Sequence, residues 1–226
     1  MTNKTYIFGA LLLLLILFQH CAPSRIIKPL EEGEHVVALS IGGPMAKVPG
    51  VATIPVPFTN LSYSRGLKSN FSITGSVYPT AALFGTYQFD LGVNYGFIKK
   101  ENWGISSTLL LNNAFDQWQF DYKIWPNIDF NGYYELKKEA ISYLFYGGIN
   151  NWFELSNSGA HNRDQTTHWI FSPQIGVQLF LKKWSYQIEY KLIGPNLNNE
   201  NFVVTYSSLL PSSGANGLYI GFSRKL

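Results

Sequence analysis

The chain has 226 residues, a net charge of only +3, and 14% charged residues against about 25% in ordinary soluble domains. No basic stripe accompanies that small charge, so nucleic acid is excluded as a partner class. Aromatic residues reach 16%, yet after the N-terminus no segment is long and apolar enough for a transmembrane helix.

The N-terminus carries Lys4 and then an apolar run from Tyr6 to Phe18. That run falls short of the roughly 20 residues a bilayer-crossing helix needs and has the length of a signal-peptide core. Residues 1–20 are therefore read as an export signal. The sole cysteine, Cys21, follows directly, and it can neither close an internal disulfide nor build a metal site alone. Residues 21–34, with Pro23, Pro29, Glu31 and Glu32, read as a linker, and a β-domain is expected over 35–226.

From there the sequence alternates with period two, the signature of strands with one apolar and one polar face. Val37, Leu39 and Ile41 predict a short first strand. Ile54, Val56 and Phe58 then run in one phase and Leu61 and Tyr63 in the other, which predicts a bulge near Thr59. Phe71, Ile73 and Val77 alternate with Ser72, Thr74 and Ser76. The clearest strand holds Tyr87, Phe89, Leu91, Val93, Tyr95 and Phe97, with Gln88, Asp90 and Asn94 between them. Further strands carry Trp103 to Leu111, Ile128 to Leu136, Ile141 to Ile149, Phe171 to Leu179, Trp184 to Leu192 and Leu218 to Phe222. In the Ile141 strand, Leu144 and Tyr146 put bulky residues on the otherwise polar face.

The count is ten strands, with eight or twelve as fallbacks. Their connections sort into two strictly alternating sets. One is short and Lys-rich: Arg65–Lys68, Lys99–Asn102, Lys137–Glu139 and Lys182–Lys183. The other is longer and rich in Gly, Pro, Asn and Ser: 42–53, 78–84, 113–126, 151–167 and 194–216. Opposite ends of an up-and-down membrane barrel differ in this way, with short turns on the periplasmic side. The polar face carries Ser, Thr, Gly, Gln and Asn rather than the Lys and Glu of a wetted surface. The expected fold is an all-β, up-and-down antiparallel transmembrane barrel. A lipid-anchored soluble β-barrel holding an apolar ligand is the structural rival.

The signal core, the alternating strands and the terminal Gly217-Leu218-Tyr219-Ile220-Gly221-Phe222 strand together resemble small outer-membrane β-barrel proteins of Gram-negative bacteria. Cys21 resembles the acceptor cysteine of bacterial lipoproteins, although His20 stands where a small residue is usual and Phe18 where Leu is usual. The Asn-rich aromatic loops look like those of Bacteroidota. The resemblance implies outer-membrane localisation, outer-membrane lipid as surroundings and handling by the barrel assembly machinery. The chain departs from it in ending on Leu226, with Arg224 interrupting the apolar face.

Candidate chemistry falls in three places. Asp90, Asp129, Glu135, Glu189 and Lys191 are expected to face the lumen, either as a hydrogen-bonded filling or as the lining of a narrow, cation-favouring conduit. In the fourth long loop, His161, Asp164 and His168 lie near Ser156, Ser158 and Glu154, the residue types of a hydrolase general-base pair. Their spacing fixes no geometry, and no metal site and no cofactor are assigned to them. Trp118, Trp125, Trp152 and Trp169 flank the extracellular loops, as an outer aromatic girdle or as a surface for an extracellular or envelope protein or glycan. The favoured role is structural or surface-binding, without catalysis.

Overall fold

Alternation becomes strand throughout the computed structural model, which describes residues 26–48, 50, 52–118, 120–157, 165–199 and 205–226. In chain order these form β1 (His35–Val48), β2 (Ala52–Pro55), β3 (Phe58–Lys68), β4 (Phe71–Val77), the short helix α1 (Pro79–Leu83), β5 (Thr86–Lys99) and β6 (Trp103–Asp116). They continue with β7 (Tyr122–Lys138), β8 (Ile141–Phe153), β9 (Trp169–Leu181), β10 (Trp184–Asn198) and β11 (Ser213–Lys225). Every neighbouring pair in the ring is antiparallel, and β11 closes on β1 from Val36 opposite Lys225 to Pro44 opposite Gly217. Ten strands make the ring, while β2 pairs only with the far end of β1.

The two faces are inverted relative to a water-soluble protein. Leu39, Leu61, Leu91, Leu109, Phe130, Phe145, Ile175 and Ile188 all stand exposed on the outside. Their alternating neighbours Ser40, Ser62, Asp90, Thr108, Asp129, Asn131, Gln174 and Glu189 are buried inside. An apolar exterior closed without a free edge around a polar interior is the solution a bilayer demands, because lipid offers backbone groups no partner. The tight turns at Ser69–Asn70 and Lys182–Lys183 mark one end of the barrel, the periplasmic end by the convention of membrane barrels, and the longer connections mark the extracellular end. Trp103 and Trp184 open β6 and β10 on the outer face at the short-turn end, and the Arg224 guanidinium lies 5.2 Å from the Trp184 ring. That placement lets the Arg224 head reach the interface while its stem lies along apolar surface.

Three local expectations are corrected. Residues 54–63 are not one bulged strand: the chain breaks between β2 and β3, where Pro57 has no N–H to donate, and β3 pairs with β1 in unbroken register. Bulges fall instead at Gly66–Lys68 and Gly96–Ile98. Arg65–Lys68 is the end of β3, so that turn lies at Ser69–Asn70. The long connections are also shorter than the sequence suggests, because β1, β6, β7 and β10 overrun the bilayer on the extracellular side. Between β6 and β7 only residues 117–121 remain outside a strand. Alternation fades there because the outer face carries polar as well as apolar residues and the inner face carries packed aromatics, while ladder pairing still satisfies the backbone.

The seam between the first and last strands is fastened at both ends. On the extracellular side Lys47 N–H donates to Thr205 O at 2.9 Å, Ser207 N–H to Met45 O at 2.8 Å, and Asn216 N–H to Ser207 O at 2.7 Å. Tyr206 packs there with Ala46 and Ala215. On the periplasmic side Leu226 N–H donates to His35 O at 3.0 Å, and Lys225 pairs with Glu34.

Candidate functional site: a filled lumen

Among the described residues, the fold gathers its chemistry-bearing side chains in the lumen, and the lumen is layered. At the periplasmic end the stretch read as a linker enters the barrel. Ile26 and Ile27 are buried, and the lack of regular structure leaves their carbonyls in need of donors. Wall residues supply them. Asn94 Nδ2 donates to Ile26 O at 3.0 Å and Ser106 Oγ to Ile27 O, while Leu30 N–H donates to Ser72 Oγ at 2.9 Å. Ile27 packs against Tyr133, Leu144, Tyr146 and Phe180. Lys28 Nζ meets Glu135 Oε2 at 2.6 Å, and Ser142 Oγ donates to the other carboxylate oxygen at 2.6 Å.

At the exit from the lumen, Gly33 N–H donates to Gly66 O at 3.0 Å and Gly66 N–H to Glu34 O at 2.9 Å. A Cβ on Gly66 would fall 1.9 Å from Glu31 O, so only glycine lets the segment cross the wall this closely.

The middle layer is polar. Ser76 Oγ and Tyr78 Oη both donate to Asp90 at 2.7 Å. Asn150 Nδ2 donates to Asp129 and, at 2.7 Å, to Asn127 Oδ1. Glu189 accepts from Tyr146 Oη at 2.9 Å and faces Lys191 Nζ at 3.5 Å. Lys191 also lies 5.8 Å from the Tyr219 ring centre. Gln174 Nε2 donates to Asn131 Oδ1 at 2.8 Å. Charges this deep survive only when paired and hydrogen-bonded, and the residues around them are chosen accordingly.

The third layer closes the extracellular end. Trp125 and Trp152 pack together with Ala114 and Ile170, their ring centres 5.6 Å apart. Trp125 Nε1 donates to Glu154 Oε2 at 2.7 Å. This corrects the girdle expectation for two of its four members: Trp118 and Trp169 are exposed, but Trp125 and Trp152 point inward. Strand phase decides it, since Trp125 shares a face with Asn127 and Asp129, and Trp152 with Asn150.

Large lumen side chains are seated on glycines of the next strand. A Cβ on Gly104 would lie 2.3 Å from Tyr133 Oη, and one on Gly176 would lie 2.3 Å from Tyr146 Oη. Sequence reasoning placed Asp90, Asp129, Glu135, Glu189 and Lys191 in the lumen, and all five face it. It did not place Ile26, Ile27 and Lys28 there. A signal existed: bulky Leu144 and Tyr146 on a polar face needed an apolar partner, and the linker held the unclaimed Ile-Ile pair.

His161 and Asp164 lie outside the described residues, as does Cys21. His168 is exposed, with Nδ1 at 2.9 Å from Glu154 O. Among the described residues no group of three His, Cys, Asp or Glu side chains is placed to hold a metal ion.

No protein-family model and no curated protein matches the chain. Solved structures do resemble it. An outer-membrane channel from Pseudomonas putida F1 is 10% identical with a TM-score of 0.48, covering 91% of this chain and 100% of its own. The outer-membrane protein Ail of Yersinia pestis is 10% identical with a TM-score of 0.36, covering 86% and 100%. OprG, an outer-membrane protein of Pseudomonas aeruginosa, is 10% identical with a TM-score of 0.33, covering 89% and 99%.

Proposed function

We propose that the chain is a closed, non-conducting outer-membrane barrel whose role is structural or surface-binding, with no catalysis of its own. The observation that carries this reading is the threefold filling of the lumen. An apolar layer around Ile27, a paired polar layer around Glu189 and an aromatic layer around Trp152 follow one another along the axis. A permeating ion would have to displace all three, which favours the closed barrel over the conduit.

Binding then falls to the extracellular rim, where Leu83, Trp118, Phe120, Leu155 and Leu209 are exposed. Apolar side chains on a rigid rim suit the headgroup region of outer-membrane lipid or an envelope protein or glycan. Planar-bilayer recordings of the purified barrel test the reading: silence is expected, and discrete conductance steps would overturn it. Lipidation of Cys21 belongs to the same proposal, with labelled-acyl incorporation that Cys21→Ser abolishes as its check.

A further inference from the structure

We propose that the periplasmic half of the lumen is a peptide-recognition site, occupied by the chain's own residues 26–31. The same site accepts an extended peptide of matching chemistry from elsewhere: two apolar residues, then Lys-Pro and a further apolar residue.

The wall there is made for a main chain. Ser62, Ser64, Ser72, Thr74, Ser106 and Thr108 are all small, and together they leave a space that strand side chains do not fill. The wall reads the occupant in two ways. Asn94, Ser106 and Ser72 bind its backbone, which gives affinity without regard to sequence. Ile27 in its apolar pocket and Lys28 on Glu135 give selectivity. This division between main-chain bonds and side-chain pockets is how proteins capture extended peptides.

The segment joins no strand ladder, so its release breaks no barrel pairing. Beside it lies a cavity of about 210 Å³ bordered by Ser40, Asn60, Ser62 and Gln187. Ser40 Oγ and Asn60 Nδ2 are buried there without a hydrogen-bond partner among the described residues. An incoming chain thus meets both room and unused hydrogen-bonding capacity beside the resident one.

The test uses the full mature chain and a fluorescent peptide of sequence Ile-Ile-Lys-Pro-Leu-Glu, followed by anisotropy. Wild type is expected to bind weakly, because the tethered segment competes at an effective concentration on the order of millimolar. In Lys28→Glu the resident segment is repelled by Glu135, so saturable binding is expected to rise at least about tenfold. A peptide with Glu in place of Lys should bind poorly to that variant, yet better than the Lys peptide to Glu135→Lys, in which the resident Lys28 is again repelled. Ile27→Ser supplies a second way to unseat the segment if Lys28→Glu fails to fold, which a boiling-dependent gel shift reports.

Folded variants that bind neither peptide, or both alike, would overturn the proposal. So would failure of both single variants to fold, since the segment would then be an inseparable part of the barrel. Mixing donor-labelled and acceptor-labelled full-length copies distinguishes a second copy's N-terminal segment from another envelope peptide as the source. Energy transfer between copies is expected only in the first case. Conductance of the wild-type barrel would sink the closed-barrel reading while leaving this site intact.

Discussion

The two ends of the lumen are closed by materials of different kinds. At the extracellular end the stopper is part of the wall: Trp125 and Trp152 grow from β7 and β8, strands held by full ladders on both sides. At the periplasmic end it is a separate stretch of chain, anchored by one buried-side ion pair, a few side-chain hydrogen bonds and a single isoleucine in an apolar pocket. A wall-borne stopper can be lost only with the barrel, whereas a segmental one has its own local stability. Stability within one small protein need not be uniform, and the lumen shows how a fold divides it.

The sharpest way to break this comparison is Trp152→Ala. Removing a packed aromatic from the wall is expected to lower unfolding stability by about 3–5 kcal/mol. Urea titration of barrels folded into vesicles would show it, and a loss under about 1 kcal/mol would mean the extracellular stopper is not integral. Next comes Gly176→Ala, which drives a methyl into the Tyr146 hydroxyl and is expected to cost about 1–3 kcal/mol by the same measurement.

Ile27→Ala should separate the two ends by its pattern rather than its size. Global stability is expected to fall by less than about 1 kcal/mol, while hydrogen exchange at residues 26–31 accelerates at least about tenfold. Equal loosening of the barrel amides would erase the distinction. The smallest effect is expected from Lys99→Ala, which removes the 2.9 Å pair with Glu31 at the solvent-exposed exit of the segment. Exposed pairs are worth about 0–1 kcal/mol, so a shift beyond that range would reveal a stronger collar than the geometry suggests.

The membrane-embedded part of the fold was legible because lipid on one face and a polar lumen on the other force strict alternation. Strands such as Tyr87 to Phe97 could be read residue by residue, and the lumen phase of Asp90, Asp129 and Glu189 followed. The extracellular extensions were not legible, because their outer face carries polar as well as apolar residues while their inner face carries packed aromatics, so polarity no longer tells the two faces apart. Hence Trp125 and Trp152 looked like rim residues when judged by position, although counting phase from Asp129 and Asn150 would have turned them inward. The entry of residues 26–31 into the lumen was hidden for another reason. It is a long-range contact without periodicity, visible only as a mismatch between an apolar pair in a polar linker and bulky residues on a polar strand face.

The fastened seam has a mechanical consequence. In any closed ring of strands the first and last must meet, and their joint is where a hoop under tension would split. Here β2 and residues 205–207 flank the upper end of β1 on both sides, and the C-terminal backbone is tied to His35 below. Sideways escape from the interior into the lipid is therefore barred at top and bottom alike, and the periplasmic segment could leave its seat only along the axis.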